Sequence, residues 1–437
     1  MNSFEISSDE VVIADDEDVS DWSITRATHG PVAVEHGKST VILKHARNRP
    51  LPKGFPIILD DKTGIICEPA FIFLAEEFSG IGAAVFVLNT VLAYANDLKS
   101  WFVFLEEFGV AWNTATSAHL NSFLEFLSGA ISPITGVEYA VGTINRRRMI
   151  IAKMYEFWRK QNLECAVPGS LLSEPDLSKK AKGKARRPVG ILTPIQQQTL
   201  LNALGCEPKK WNPEDASKSS RNRIYGDIAL ITGMRISEIS SLRASQFTGF
   251  AVIDLVETEL YPVNVRRKGG MVKPVLFSGD LISEILDYIQ GERNHILNSL
   301  NIKRNSLILN SLSVHAHKGK PPSVRTIQRE FSEACIKLGF TEVVECTSFA
   351  MKSSDEIISD TFSKIVSKYV FHDLRHTFAV TTYYALKFAG DEEPWMNLAD
   401  RLGHADPRTT ISIYLAGTRT FEGRVTDRFM EAIRREV

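Results

Sequence analysis

A mainly α-helical fold in two blocks, with short strand runs in a minor role, is what this sequence predicts. Three observations lead there. Apolar residues recur at intervals of three and four through most of residues 70–163 and again from about 193 onward. Runs of β-type residues are short and confined to about 41–67 and 252–277. Between the two helical blocks, residues 164–192 follow neither period, which marks a linker.

The chain has 437 residues, enough for two or three domains and a sizeable core. Its 44% hydrophobic and 24% charged residues are those of a soluble globular protein. No apolar run reaches the roughly 18 residues of a membrane span. The acidic start, Met1 to Ser20, lacks the basic and apolar regions of a secretory signal. Five scattered cysteines, Cys67, Cys165, Cys206, Cys335 and Cys346, form no C-x-x-C pair. They read as reduced thiols of a cytoplasmic protein, with neither a disulfide frame nor a zinc site. The net charge is −1, but residues 1–30 carry eight acidic residues and one basic one, leaving 50 Lys and Arg against 44 Asp and Glu elsewhere. An acidic leader on a mildly basic body is the expectation.

Taken in order, residues 1–70 form that leader. Val41-Ile42-Leu43 and Pro56-Ile57-Ile58-Leu59 read as extended, and Asp60 to Gly64 as a hairpin turn leading into Ile65-Ile66-Cys67. Residues 71–163 read as a helical domain. One helix runs through Leu92 to Leu105. Thr116 caps another, carrying Leu120, Phe123, Leu124 and Leu127. A third follows Thr143 and carries Arg146, Arg147 and Arg148 ahead of Ile150, Met154 and Trp158. The linker holds Lys182, Lys184, Arg186 and Arg187, charges suited to tracking phosphates.

A second domain, 193–437, starts at Thr193-Pro194, a helix cap followed by a first-turn proline. A helix from Asn222 to Ile231, with Ile224, Ile228, Ala229 and Ile231 inward, ends at Gly233. Three extended runs follow: Val252–Leu255, Tyr261–Val265 and Val272–Phe277, with Arg266-Arg267-Lys268-Gly269-Gly270 as the turn between the last two. Helices are expected at 281–299 and from Ser323 to about 338. Residues 341–368, rich in serine, read as loop with a helix. The remainder is helical, broken near Pro394 and Pro407. A last helix, about Phe421 to Arg435, presents a stripe of Phe421, Val425, Phe429 and Ile433.

The chemistry gathers in Thr232-Gly233-Met234-Arg235-Ile236-Ser237-Glu238, in His372-Asp373-Leu374-Arg375-His376-Thr377-Phe378, in Leu402-Gly403-His404, and at Tyr414. Two guanidiniums, two imidazoles and a phenol could serve a phosphate: cations for its oxygens, a proton acceptor and a nucleophile. His372 and His376 are four apart, as in a zinc helix. But position 373 is Asp where a metalloprotease has Glu, and no third ligand is evident.

The ordered set Arg, His-x-x-Arg, Gly-His, Tyr resembles the signature of the tyrosine recombinase, or phage integrase, family. The resemblance covers roughly residues 75–435. It implies a two-lobed, DNA-clamping protein: a helical core-binding domain plus a mainly α catalytic domain with a small antiparallel sheet. It implies Arg235 and Arg375 on the phosphate, Glu238 in support, His372 relaying the tyrosine proton, His404 bonding the phosphate and Tyr414 as nucleophile. Lys268 takes the place of the family's hairpin lysine, the general acid for the departing 5′ oxygen. Arg146, Arg147, Arg148, Lys182, Lys184, Arg186, Arg187, Arg266 and Arg267 would contact DNA. The implied reaction cuts and rejoins strands through a 3′-phosphotyrosine, with no metal, ATP or other cofactor. It would serve integration, excision or transposition of a mobile element. The implied partners are double-stranded DNA with specific recombination sites, further copies making a tetramer on DNA, and accessory proteins. The implied setting is the bacterial nucleoid. A type IB topoisomerase, a telomere resolvase and a non-catalytic DNA-binding regulator on the same scaffold are the alternatives.

Overall fold

The structure, a computed structural model, describes residues 22–27, 51–79, 87–132, 136–163, 165, 189–215, 219–267, 271–314, 316–351, 357–404, 408 and 411. The expectations for Val41–Leu43, for the linker charges Lys182, Lys184, Arg186 and Arg187, for Lys268, for Tyr414 and for the stripe Phe421, Val425, Phe429 and Ile433 lie outside these residues. The described residues fall into two compact units.

The first unit comprises the described residues up to 165, together with the described part of 345–363. Strands β1 (Trp22–Arg26) and β2 (Pro56–Asp60) pair antiparallel, Trp22 opposite Asp60. Asp60 to Gly64 does turn the chain, its carboxylate accepting from the Lys62 and Thr63 N–H groups. Yet the strand beyond the turn is reduced to one bridge, Leu59 to Ile66, on the edge of β2 opposite the one that pairs with Trp22–Arg26. Four helices follow: α1 (Glu68–Phe78), α2 (Leu88–Glu107), α3 (Ser117–Gly129) and α4 (Val141–Lys160). The expected cap of α3 forms, Thr116 exchanging hydrogen bonds with the His119 turn. Phe55 and Ile58 of the leader share one core with Trp101, Phe123, Ile151 and Tyr155 of the helices.

The second unit comprises the described residues from 189 to 344 and from 364 on. It opens with α5 (Pro194–Leu204), where Thr193 and Gln196 form a reciprocal cap. Helix α6 (Arg221–Thr232) ends at Gly233, and the single-turn α7 (Ile236–Ser240) follows at once. Ile231 is exposed, although its spacing suggested the core. Val252–Asp254 forms a 3-10 turn with Ile253 at the surface; among the described residues it has no strand partner. Strands β3 (Leu260–Arg266) and β4 (Val272–Ser278) pair antiparallel, Arg266 opposite Val272.

The helix expected at 281–299 divides into α8 (Gly279–Tyr288) and α9 (Asn294–Leu300), separated by a wider turn with Gly291 outside helical geometry. After α10 (Val324–Lys337), the stretch expected to be loop with a helix instead forms two eleven-residue strands, β5 (Thr341–Met351) and β6 (Ile357–Ser367), in their own sheet. Helices α11 (His372–Phe388) and α12 (Pro394–Leu402) complete the described fold. Helix α11 lies against α6, its Leu374 in the main core, while Phe378, Leu398 and Leu402 join α11 to α12. Among the described residues no helix is long and apolar enough to cross a membrane.

Candidate active site

Two helix ends and one buried guanidinium build the site. Helix α6 ends at Gly233 and α12 at Gly403, both left-handed, with φ of 65° and 67°. Glycine suits that conformation because it has no side chain to strain it. A methyl at Gly233 would also meet the Phe378 ring at 2.3 Å. A helix end leaves carbonyls without partners, at the negative pole of its dipole. Arg375, on the first turn of α11 and 2% exposed, supplies the missing donors. Its Nη1 donates to the Gly233 carbonyl, and its Nη2 to the Leu402 carbonyl at 2.9 Å. Gly233 of T-G-M-R and Leu402 of L-G-H therefore present the carbonyls that hold Arg375.

His404 follows Gly403 directly, and its Nε2 lies 3.0 Å from Arg375 Nη2. Protonated imidazole is disfavoured here. Burial first, then the charges of Arg375, Arg235 and Arg267, pull the His404 pKa down to about 4. The ring is neutral at pH 7 and accepts from Arg375. Burial, then Arg375 and Arg235, also lower the pKa of His372. His376 falls to about 4, from burial and then its two cationic or protonatable neighbours, His372 and Arg375. The His372 and His376 rings meet edge to face, centroids 4.7 Å apart, so this pair packs ring on ring.

Arg235 is the N-cap of α7. Glu238, three residues on and 3% exposed, accepts from the Arg235 N–H at 2.9 Å and from its Nη1 at 3.2 Å. This buried carboxylate aims a side chain that itself stays one-third exposed. Behind the site, Asp373 accepts from the Val370 N–H at 2.8 Å, and Thr377 accepts from the Leu192 N–H at 3.0 Å. These bonds fix where α11 begins.

The structure thus brings together Arg235, Glu238, His372, Arg375 and His404. Of the proposed DNA contacts, Arg266 points outward and Arg267 inward. The inward turn of Arg267 departs from the expectation, and strand alternation is the reason: Val263, Val265 and Arg267 share the buried face. Arg146 and Arg147 serve an internal carboxylate. Asp97, 1% exposed, accepts from Arg146 Nε at 2.7 Å and from Arg147 Nε at 3.4 Å. Arg147 also lies 4.5 Å over the Tyr139 ring and is only 12% exposed, against 41% for Arg146. Arg148, on the same turn of α4, is partly buried.

The buried groups set opposite pH dependences. The His404 pKa is lower in the folded chain than the ordinary 6.5, so the unfolded chain binds more protons between these values. Stability from His404 is complete above about pH 6.5 and is lost as pH falls toward 4. Burial beside Glu284 raises the Asp227 pKa to about 7, so its penalty grows as pH rises from 3.8 to 7. Thermal melts should show His404→Gln gaining on the wild type as pH falls through 6.5 to 4. Asp227→Asn should gain as pH rises through 4 to 7. Equal pH slopes for wild type and either variant would remove that group from the account.

The phage integrase family model matches residues 192–420, and the model of the phage integrase N-terminal SAM-like domain matches 86–162. Tyrosine recombinase XerC of Mycobacterium tuberculosis (strain ATCC 25177 / H37Ra) is 26% identical over 191 residues, 44% of this chain and 55% of that protein. Tyrosine recombinase XerC of Lactobacillus delbrueckii subsp. bulgaricus (strain ATCC BAA-365 / Lb-18) is 24% identical over 255 residues, 58% of this chain and 73% of that protein. The chain therefore spans about half the length of the mycobacterial relative. Among solved structures, XerH site-specific recombinase bound to palindromic difH substrate, a post-cleavage complex, aligns at 17% identity and a TM-score of 0.48 over 74% of this chain and 75% of that one. A lambda integrase dimer bound to a COC′ core site aligns at 15% identity and a TM-score of 0.44, over 84% and 95%. The integrase model alone covers more than half of the sequence, across the helices that bring Arg235, Arg375 and His404 together: the chain belongs to the phage integrase family, the tyrosine recombinases.

Proposed function

We propose that this protein is a site-specific DNA recombinase that cuts and rejoins strands through a 3′-phosphotyrosine, moving a mobile element. The observation that carries the reading is the Arg375–His404 pair at 3.0 Å, with Arg235 close enough to depress the pKa values of His404 and His372. Fixed guanidiniums and a neutral imidazole donor or acceptor suit a phosphodiester whose oxygens gain charge under attack.

In the proposed step the Tyr414 oxygen attacks phosphorus and the bond to the 5′ oxygen breaks. His372, held neutral, takes the phenolic proton, and Lys268 gives one to the leaving 5′ oxygen. The phosphotyrosine conserves the energy of the broken bond, so a partner strand's 5′ hydroxyl reseals it without ATP. Arg235 and Arg375 carry the charge a metal would otherwise offset. Binding to recombination sites would draw on Arg146, Arg148, Arg266 and the linker cations Lys182, Lys184, Arg186 and Arg187. A tetramer on two paired sites, linked by the terminal helix, completes the proposal for a cytoplasmic, DNA-associated enzyme.

A pool of nicked duplexes of randomised sequence tests it. After incubation and denaturation in detergent, covalently held DNA should survive and converge on one site. Duplexes carrying that site should then recombine pairwise. Relaxation of any supercoiled plasmid without pairing would move the reading to a topoisomerase. Binding with no covalent product would move it to a regulator.

The two arginine classes should separate on the selected site. Arg266→Ala should weaken binding and lower the salt slope by about 1, as the loss of one phosphate contact does. Arg147→Ala should lower the melting temperature and leave that slope unchanged, because Arg147 neutralises Asp97. Salt titrations of both variants decide the matter.

A further inference from the structure

We propose that Arg267 is a positioning residue, clamping the end of α12 so that Arg375 and His404 meet in working geometry. The inference rests on the reading above in one respect, that Arg375 and His404 serve a phosphate. Nothing in the local fold asks for arginine here. Position 267 continues the buried face of Val263 and Val265, where an apolar side chain would sit without a desolvation cost. Its N–H donates to the Met271 carbonyl at 2.8 Å, just beyond the last β3–β4 pair.

The guanidinium then reaches across to α12. Nη1 donates to the Leu402 carbonyl at 2.7 Å and Nη2 to the Arg401 carbonyl at 3.2 Å. Leu402 is also the acceptor for Arg375 Nη2, at 2.9 Å. Two guanidiniums thus converge on one carbonyl, from β3 and from α11. His404, two residues beyond Leu402, meets that same Arg375 nitrogen. Helix α12 has nine residues, and the last turn of so short a helix frays unless it is held. Gly403 closes the arrangement. A methyl there would lie 2.1 Å from Arg267 Nη1, so Gly403 admits the clamp as well as the left-handed turn. Burial lowers the Arg267 pKa, an effect Glu238 opposes and Arg235 reinforces, which places Arg267 in the electrostatics of the same site.

The test is a double-mutant cycle on the selected duplex, with wild type, Arg267→Ala, Gly403→Ala and the double variant. Each single variant should bind the duplex within about 3-fold of wild type and cleave it roughly 10²-fold more slowly, the scale of a small misplacement of reacting groups. Strain of the left-handed backbone at Gly403 persists in both backgrounds, but the clash with Arg267 is absent from the double variant, so its loss should fall well short of the product of the two single losses. Losses that multiply in the double variant would overturn the clamp. So would binding that falls in step with cleavage, the mark of a merely structural residue. A second readout needs no activity: the His404 ring resonances in an NMR pH titration. In Arg267→Lys, which keeps the charge that helps hold the His404 midpoint down but loses the fork on the Leu402 and Arg401 carbonyls, the midpoint should rise from about 4. An unmoved His404 would overturn the proposal. If the wild type forms no covalent product, the recombinase reading fails, and the His404 titration still decides the clamp.

Discussion

Tyr414→Phe is expected to remove the covalent protein–DNA product altogether while leaving binding to the selected duplex nearly unchanged. Only one oxygen is lost, and it is the atom proposed to attack phosphorus. A phenol is neutral at pH 7, so attack requires a proton acceptor and nearby cations. His372, Arg235 and Arg375 offer both. Two other tyrosines lie on α11, eight and nine residues after Arg375, and both are engaged elsewhere. Tyr383 stacks on Trp395, centroids 4.1 Å apart, and Tyr384 is buried among Phe378, Leu398 and Leu402. Survival of the covalent product in Tyr414→Phe would give the role to one of them. Detergent gels and filter binding on one preparation read both quantities.

Arg375→Ala is expected to slow cleavage by at least about 10²-fold, the usual scale for losing one oxyanion donor. It should also lower the melting temperature, because the carbonyls of Gly233 and Leu402 lose a buried donor. An unsatisfied buried polar group costs about 1–3 kcal/mol. Arg235→Ala should match the kinetic loss with a smaller melting shift, since that side chain is one-third exposed. Arg375→Lys keeps the charge but not the planar fork, and should recover little of the rate. Cleavage within a few-fold of wild type in either alanine variant would take that arginine off the phosphate.

What the sequence disclosed was local. The caps at Thr116 and Thr193 and the stop at Gly233 were readable because each rests on residues within one helical turn. The site contexts were readable for the same reason: T-G-M-R and L-G-H each combine a helix end with the residue after it. What stayed hidden depends on distant partners. Asp97 captures Arg146 and Arg147 from 49 and 50 residues away, and no local pattern announces it. Val252–Leu255 has the composition of a strand but, among the described residues, no neighbour to pair with. In β5 and β6, threonine, valine and isoleucine favour extended chain, but interspersed serine and charge blur the two-residue period. Arg267 is the instructive case. Alternation from Val263 and Val265 already pointed it inward, while its place in a basic run suggested DNA. Its partners, Arg401 and Leu402, lie 134 and 135 residues further along the chain.

The central claim is tested most directly by trapping the wild-type protein on nicked duplexes with EDTA present and mapping the attachment. The account predicts one peptide carrying nucleotide on the Tyr414 oxygen, joined to the 3′ phosphate, with a free 5′ hydroxyl on the released strand. Attachment through another residue, a linkage to the 5′ phosphate, or cleavage that stops when divalent metal is removed would contradict it.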